Sequence, residues 1–279
     1  MSPLYYEDKI HNLSAGRTLF DYADSLKVRV PTSCGRTGEC HECILEVKRG
    51  IQALSAPEDI EGFLQDNYRL ACQAVVVDSN ADVEFTVLRR QPRILTDSVR
   101  RKFELQPLTV RRGNDVCFRE ERIDGYKGHV FGLAVDVGTT TVVLNLVNLE
   151  SGDVVHTSSF ENPQKIGGSD VMHRISYDGG EFKGELQQVI LSSLNFEIGE
   201  MSRVLGFHRR RIYEVVVVGN STMRDILFGI DVTPIGERPY KSRIQLSAES
   251  GERNTTALEM QAKDLGLRIF PGANVYSGP

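Results

Sequence analysis

Four cysteines constrain this chain more than any other feature: Cys34, Cys40, Cys43 and Cys72, spaced C-x5-C-x2-C-x28-C. Three of them crowd into a ten-residue loop that also holds Gly35 and Gly38. A loop that wraps a common ligand and aims backbone N–H groups at it needs residues free to take positive φ, and glycine supplies them. Three thiolates from one loop and a fourth from a distant turn suit a [2Fe–2S] cluster. Two alternatives stay open on spacing alone: a structural zinc site, which usually draws on two close cysteine pairs, and four unrelated buried thiols. His41, inside the loop, reads as exposed loop and not as a ligand. Cys117 stands apart and reads as a small buried hydrophobe.

The chain has 279 residues, 40 % hydrophobic and 25 % charged, with a net charge of −5. That is room for two globular domains and the wrong sign for a dedicated nucleic-acid binder. No apolar stretch follows Met1 as a secretory signal would. The apolar run Phe131–Leu149 carries Asp136, Gly138 and three threonines, so it predicts two strands around a turn and no membrane span. Clustered cysteines in a chain of this kind point to metal ligation in the cytoplasm.

The predicted organisation is a domain over 1–90, a basic linker over 91–128 and an α/β domain over 129–279. The first part shows a helix after Ser14 or Thr18, a strand at Lys27–Val30 entering the cysteine loop, a strand leaving it at Ile44, a helical stretch at Asp59–Leu64 and a last strand at Asp82–Leu88. Arg89 to Arg112 gathers eight basic residues, read as a solvated linker, with docking to an acidic surface as the functional alternative. Three strands follow from Val130, then a helix over Leu186–Leu205, the strand Tyr213–Val218, and Gly219-Asn-Ser-Thr opening a helix to be capped by Ser221 or Thr222. Tyr276-Ser-Gly-Pro279 is loop-like and reads as an interrupted domain, and the opening hairpin over Leu4–Asn12 is so faint that the N-terminus reads as clipped.

A second constellation is Asp136-Val-Gly138-Thr139-Thr140, between two strands. Gly138 lets backbone approach a phosphate, Thr139 and Thr140 add hydroxyl donors, and Asp136 can hold the hydration shell of Mg²⁺ or orient a water. The alternative is an ordinary hairpin.

From these residues two resemblances emerge. Thr18 to Val87 resembles a β-grasp [2Fe–2S] ferredoxin of the adrenodoxin-like spacing, which implies that Cys34 and Cys40 hold one iron and Cys43 and Cys72 the other. The Asp136–Thr140 segment resembles the first phosphate loop of the acetate and sugar kinase, heat-shock chaperone and actin (ASKHA) superfamily, whose halves are ribonuclease-H-like. The fold expected is therefore α+β: a β-grasp ferredoxin domain, a linker and a partial ribonuclease-H-like domain. Together the two halves resemble the ATP-dependent reductive activators of corrinoid proteins. That likeness implies one-electron reduction of Co(II) to Co(I) on a corrinoid protein or corrinoid methyltransferase system, an upstream low-potential electron donor, and ATP with Mg²⁺. It implies no nucleic acid and no membrane, and leaves a homodimer open. The short connection at 89–128 implies that an extra middle domain found in some members is missing. The superfamily's later phosphate and adenosine motifs are not found before Pro279, so this chain alone is not expected to hydrolyse ATP. A plain electron-transfer module with a non-hydrolysing scaffold, and a zinc-stapled sugar-kinase relative, are the competing readings.

Overall fold

The computed structural model describes residues 2–88 and 106–278. It divides into two compact units, Met1–Arg90 with Pro163–Ser193, and Gln91–Asn162 with Leu194–Pro279.

The first unit opens with the hairpin β1 (Pro3–Tyr6) and β2 (Lys9–Asn12), two short antiparallel strands joined at Glu7 and Asp8. The faint opening hairpin is thus fully formed. Helix α1 (Leu19–Ser25) follows, closed by a reciprocal cap in which the Thr18 hydroxyl accepts from Asp21 N and the Asp21 carboxylate accepts from Thr18 N. Leu19, Phe20, Tyr22 and Ala23 turn inward. The strand expected at Lys27–Val30 does not form. Lys27 takes a left-handed φ of 57° and Val28 N donates back to Ala23 O, so the backbone here closes the helix and leaves nothing for a sheet partner.

Strands β3 (Ile44–Arg49), β4 (Tyr68–Leu70) and β5 (Val83–Val87) complete a five-stranded sheet ordered β2-β1-β5-β3-β4, with β1 and β5 parallel. Leu4, Tyr6, Leu45, Val47, Leu70 and Phe85 are buried along it, as are Leu19, Phe20, Tyr22 and Ala23 of α1. This is the β-grasp arrangement, and the cysteine loop hangs between α1 and β3.

The second unit begins earlier than the sequence reading placed it. Part of the expected linker is folded as a three-stranded meander, β6 (Thr109–Arg112), β7 (Asp115–Phe118) and β8 (Glu121–Gly125). Gly113, at φ 62°, turns β6 into β7, and Val116 packs in a buried cluster with Val130 and Tyr213. Cys117 is buried, as expected of it. The arginines at 89, 90, 93, 100 and 101 lie outside the described residues.

The main sheet runs β11-β10-β9-β12-β14-β13, from β9 (Phe131–Val137), β10 (Thr141–Asn148), β11 (Val154–Glu161), β12 (Ile212–Gly219), β13 (Leu258–Gln261) and β14 (Asn274–Ser277). β9, β10 and β11 are antiparallel neighbours, while β12 pairs parallel with β9 and β14 parallel with β12. That is a ribonuclease-H-like sheet. The residues read as a loop at Tyr276 and Ser277 are in fact paired strand, because their backbone bonds go to β12. Helix α4 (Ser221–Leu227) and the part of α3 (Glu185–Leu205) from Leu194 on belong to this unit, and α2 (Val171–Asp178) with the start of α3 to the first. Among the described residues no helix is long and apolar enough to cross a membrane.

The segment Pro163–Ser193, expected to belong with the α/β domain, packs instead with the first unit. Its contacts explain why: Lys165 Nζ pairs with Glu46 at 3.1 Å, and Tyr177 OH donates to Phe63 O at 2.5 Å.

Candidate functional site

The cysteine loop is wound tightly. Gly35, Arg36, Gly38 and His41 all take left-handed φ, of 70°, 75°, 94° and 51°. A Cβ on Gly38 would lie 3.1 Å from the Gln73 amide nitrogen and 3.2 Å from Ile60 Cδ1, so the loop passes close under the turn that carries Cys72. That turn is held from β4: Glu61, buried, accepts from Arg69 and from Leu70 N, and Gln73 N and Ala74 N donate to Leu70 O.

The thiols are brought together in two pairs. Cys43 Sγ donates to Cys72 Sγ at 3.4 Å, both buried. Cys34 and Cys40, half-buried, neighbour each other, and Cys40 donates to Cys34. The Thr37 hydroxyl bond, with further donors from Cys40 and Gly38, holds the Cys34 thiol down to about 6. The bond from Cys43, followed by that of the Gln73 amide at 3.2 Å, lowers Cys72 to about 7. Cys43 is pushed up, first by donating its proton to Cys72 and then by burial. One thiolate in each pair is thus favoured near neutral pH, and thiolates are what a metal binds. Among the described residues no three or more His, Cys, Asp or Glu side chains gather around one point suited to a single ion. A two-iron cluster asks for a different pattern, two thiolates per iron, and the donor set fits that chemistry.

Sequence reasoning missed the surroundings of His41. It is not exposed loop: its ring stacks on Phe63 at 4.1 Å and its Nδ1 meets Glu185 Oε2 at 3.0 Å, both side chains four-fifths buried at 20 % exposure. Gln188 Nε2 donates to Cys40 O at 3.0 Å. No local pattern marks Glu185 and Gln188, which lie more than 140 residues away from the loop residues they bond.

In the second unit, the Asp136–Thr140 segment ends β9. Asp136 is exposed, opposite Val143 on β10 and Val218 on β12. Gly138 N donates to Thr141 O at 3.0 Å, and a Cβ on Gly138 would sit 2.7 Å from that oxygen, so only glycine fits. Two asparagines hold the turn. Asn162, buried, donates from Nδ2 to Gly138 O and from its backbone to Thr140 O, both at 2.7 Å. Asn220 caps α4 through Met223 N and donates to Thr139 Oγ1 at 3.2 Å. The expected cap residues, Ser221 and Thr222, instead lie within the helix. Asn162 thus engages the Gly138 and Thr140 carbonyls and Asn220 the Thr139 hydroxyl, with Thr139 half-buried and Thr140 exposed.

The matches to known families run along the sequence and keep Pro163–Ser193 with the α/β part. Residues 131–279 match the family described as RACo middle region, and residues 7–77 match the 2Fe-2S iron-sulfur cluster binding domain. The middle domain expected to be missing is therefore what the α/β part itself matches. Among curated proteins, the corrinoid activation enzyme RamQ of Eubacterium limosum is 31 % identical over 113 residues, 40 % of this chain and 19 % of RamQ. Among solved structures, a reductive activator for corrinoid, iron-sulfur protein superposes over 100 % of this chain and 55 % of its own, with a TM-score of 0.54 and 23 % identity. The chain thus spans about a fifth of one relative's length and about half of the other's.

Proposed function

Because the chain belongs to the family of the RACo middle region, which accounts for more than half of its residues, we propose that it carries single electrons for the ATP-dependent reductive activation of a corrinoid protein in the cytoplasm. The observation that carries the reading is the two-by-two gathering of four thiols, Cys34 with Cys40 and Cys43 with Cys72.

In this reading the four cysteines hold a [2Fe–2S] cluster, which supplies one-electron chemistry at low potential. The protein's part is to keep the thiols deprotonated, which Thr37 does at Cys34 and Gln73 helps to do at Cys72. Gly38 keeps the loop close to the Cys72 turn. Gly138, Thr139 and Thr140 receive nucleotide phosphate and Asp136 the hydration shell of Mg²⁺, while Asn162 and Asn220 fix the turn. Nucleotide matters because an unfavourable gap of about 200 mV leaves well under one part in a thousand of an acceptor reduced. Only a ligand that favours one state of the partner can shift that balance. The partners are a corrinoid protein or corrinoid methyltransferase system and an upstream low-potential donor.

Anaerobic reconstitution tests this in two stages. The chain should take up iron and sulfide and give an EPR signal after dithionite, and Cys72→Ser should not. The reduced chain should then convert a Co(II) corrinoid partner to Co(I), read from corrinoid absorbance, with a yield that rises on adding Mg-ATP. A colourless, zinc-loaded protein overturns the first stage. Electron transfer indifferent to nucleotide in the chain, and in a version extended past Pro279, returns it to a plain ferredoxin module.

A further inference from the structure

The loop residue His41 lies between two cluster cysteines and holds a left-handed φ of 51°. A non-glycine residue pays for that conformation and keeps it only where its surroundings over-determine it. Here they do so from two sides. Phe63 lies flat against the ring at 4.1 Å, with 15° between the planes, and the Glu185 carboxylate meets Nδ1 at 3.0 Å. Phe63 is itself buried, and its carbonyl is bonded by Tyr177.

Glu185 does not act alone. Gln188 is three residues along α3, hence on the same face, and its amide donates to the Cys40 carbonyl at 3.0 Å. Where β3 leaves the loop, Lys165 ties Glu46 at 3.1 Å. The stretch from Cys40 to Glu46 is therefore fastened at three points by residues from the segment Pro163–Ser193, which packs as part of the same unit. A free-standing ferredoxin loop would have only its own turn and sheet to hold it.

We infer that the first turn of α3 is a positioning clamp for the cluster loop, with Glu185 fixing His41 and Gln188 fixing the Cys40 peptide, so that α3 governs how firmly the cluster is kept and at what potential. The argument rests on the cluster reading above. Backbone orientation decides which N–H groups face the sulfurs, and those hydrogen bonds, with solvent access, set the potential of such a centre. Glu185 and Gln188 touch the loop and not the thiols, so they are positioning residues. The clamp also seals one side of the loop, because His41 and Glu185 are both largely shielded from water.

The test uses the full chain, reconstituted anaerobically, as parent, Glu185→Ala, Gln188→Glu and Glu185→Gln. Gln188→Glu keeps the side-chain shape but replaces the donor facing Cys40 O with an acceptor. Glu185→Gln retains an acceptor for His41 and serves as the conservative rescue. Three quantities are read: midpoint potential by EPR-monitored redox titration, the EPR line shape, and iron release to a chelator. Glu185→Ala and Gln188→Glu should each release iron about fivefold faster, the Boltzmann factor of one net hydrogen bond, with a shifted midpoint and an altered line shape. Glu185→Gln should stay near the parent. A purely structural contact would lower thermal stability and leave potential and line shape untouched, and that result overturns the clamp. A parent that binds no iron overturns the cluster reading and the clamp with it, so the two failures are distinguishable.

Discussion

Replacing either member of the Glu61–Arg69 pair should cost this protein more than any other single charge change in the ferredoxin-like sheet. The pair is wholly buried, with side chains 0 % and 2 % exposed. Glu61 accepts from Arg69 Nε and Nη2 at 2.9 Å each and from Leu70 N at 2.8 Å, while Arg69 also donates to Ser55 O at 2.7 Å. Arg69→Met removes one charge and leaves a desolvated carboxylate, and Glu61→Gln does the reverse. Breaking a buried pair in this way costs about 3–5 kcal/mol. The double variant has no orphan charge; its cost is the lost bonds to backbone, about 1–3 kcal/mol, so it should be more stable than either single variant. In urea, with a slope near 2 kcal/mol per molar, each single change should lower the midpoint by roughly 2 M and the double by roughly 1 M. Far-UV circular dichroism of the three variants against the parent measures this. The pair also anchors Leu70, two residues before Cys72, so iron retention should fall in the same order. Single variants within about 0.5 kcal/mol of the parent, or a double variant equal to their sum, would refute the reasoning.

Three further outcomes follow from the same geometry. In cluster-free protein at pH 7, Cys34, held down to about 6, should alkylate about fourfold faster than an ordinary thiol, because its roughly ninetyfold gain in thiolate is mostly offset by weaker nucleophilicity; Cys43, pushed up, should react last, and mass spectrometry of partially alkylated protein gives the order. Gly138→Ala and Gly219→Ala place a Cβ 2.7 Å and 2.9 Å from the fixed carbonyls of Thr141 and Val137 and should each cost about 1–3 kcal/mol, whereas Gly199→Ala in α3, with open space around it, should be neutral or stabilising in the same thermal melts. Burial, with the bond to Asp124, pushes Tyr213 up to about 12. The unfolded tyrosine ionises first, so its contribution is full below about pH 10 and is lost as pH climbs toward 12. Tyr213→Phe should be less stable near pH 8 and lose less stability than the parent by about pH 11; parallel loss in both would exclude this role.

How much of the molecule was legible beforehand depends on how far each signal reaches along the chain. Gly35 and Gly38 announced a left-handed loop because the conformation they permit is a local property. The apolar alternation of Phe131, Leu133, Val135 and Val137 against exposed Ala134 and Asp136 marked β9 for the same reason. Where local signals competed, composition misled: the arginines around Gly113 suggested linker, although Gly113-Asn114 between alternating residues is a hairpin turn. At Tyr276 and Ser277 the flanking glycine and proline outweighed a strand that exists because β12 offers its edge.

The order of residues by itself determined the four sulfurs and their loop, the Gly-Thr turn after β9, and the kinds of sheet that carry each, since all of these rest on spacing, alternation and permitted φ. Only folding in three dimensions decided what surrounds them: Glu185 and Gln188 against the cysteine loop, Asn162 and Asn220 against the Gly-Thr turn, and the attachment of Pro163–Ser193 to the first unit. Contacts between residues far apart in the chain leave no periodic trace in it, because the free energy that selects them comes from burial and hydrogen bonding available only once both partners are in place.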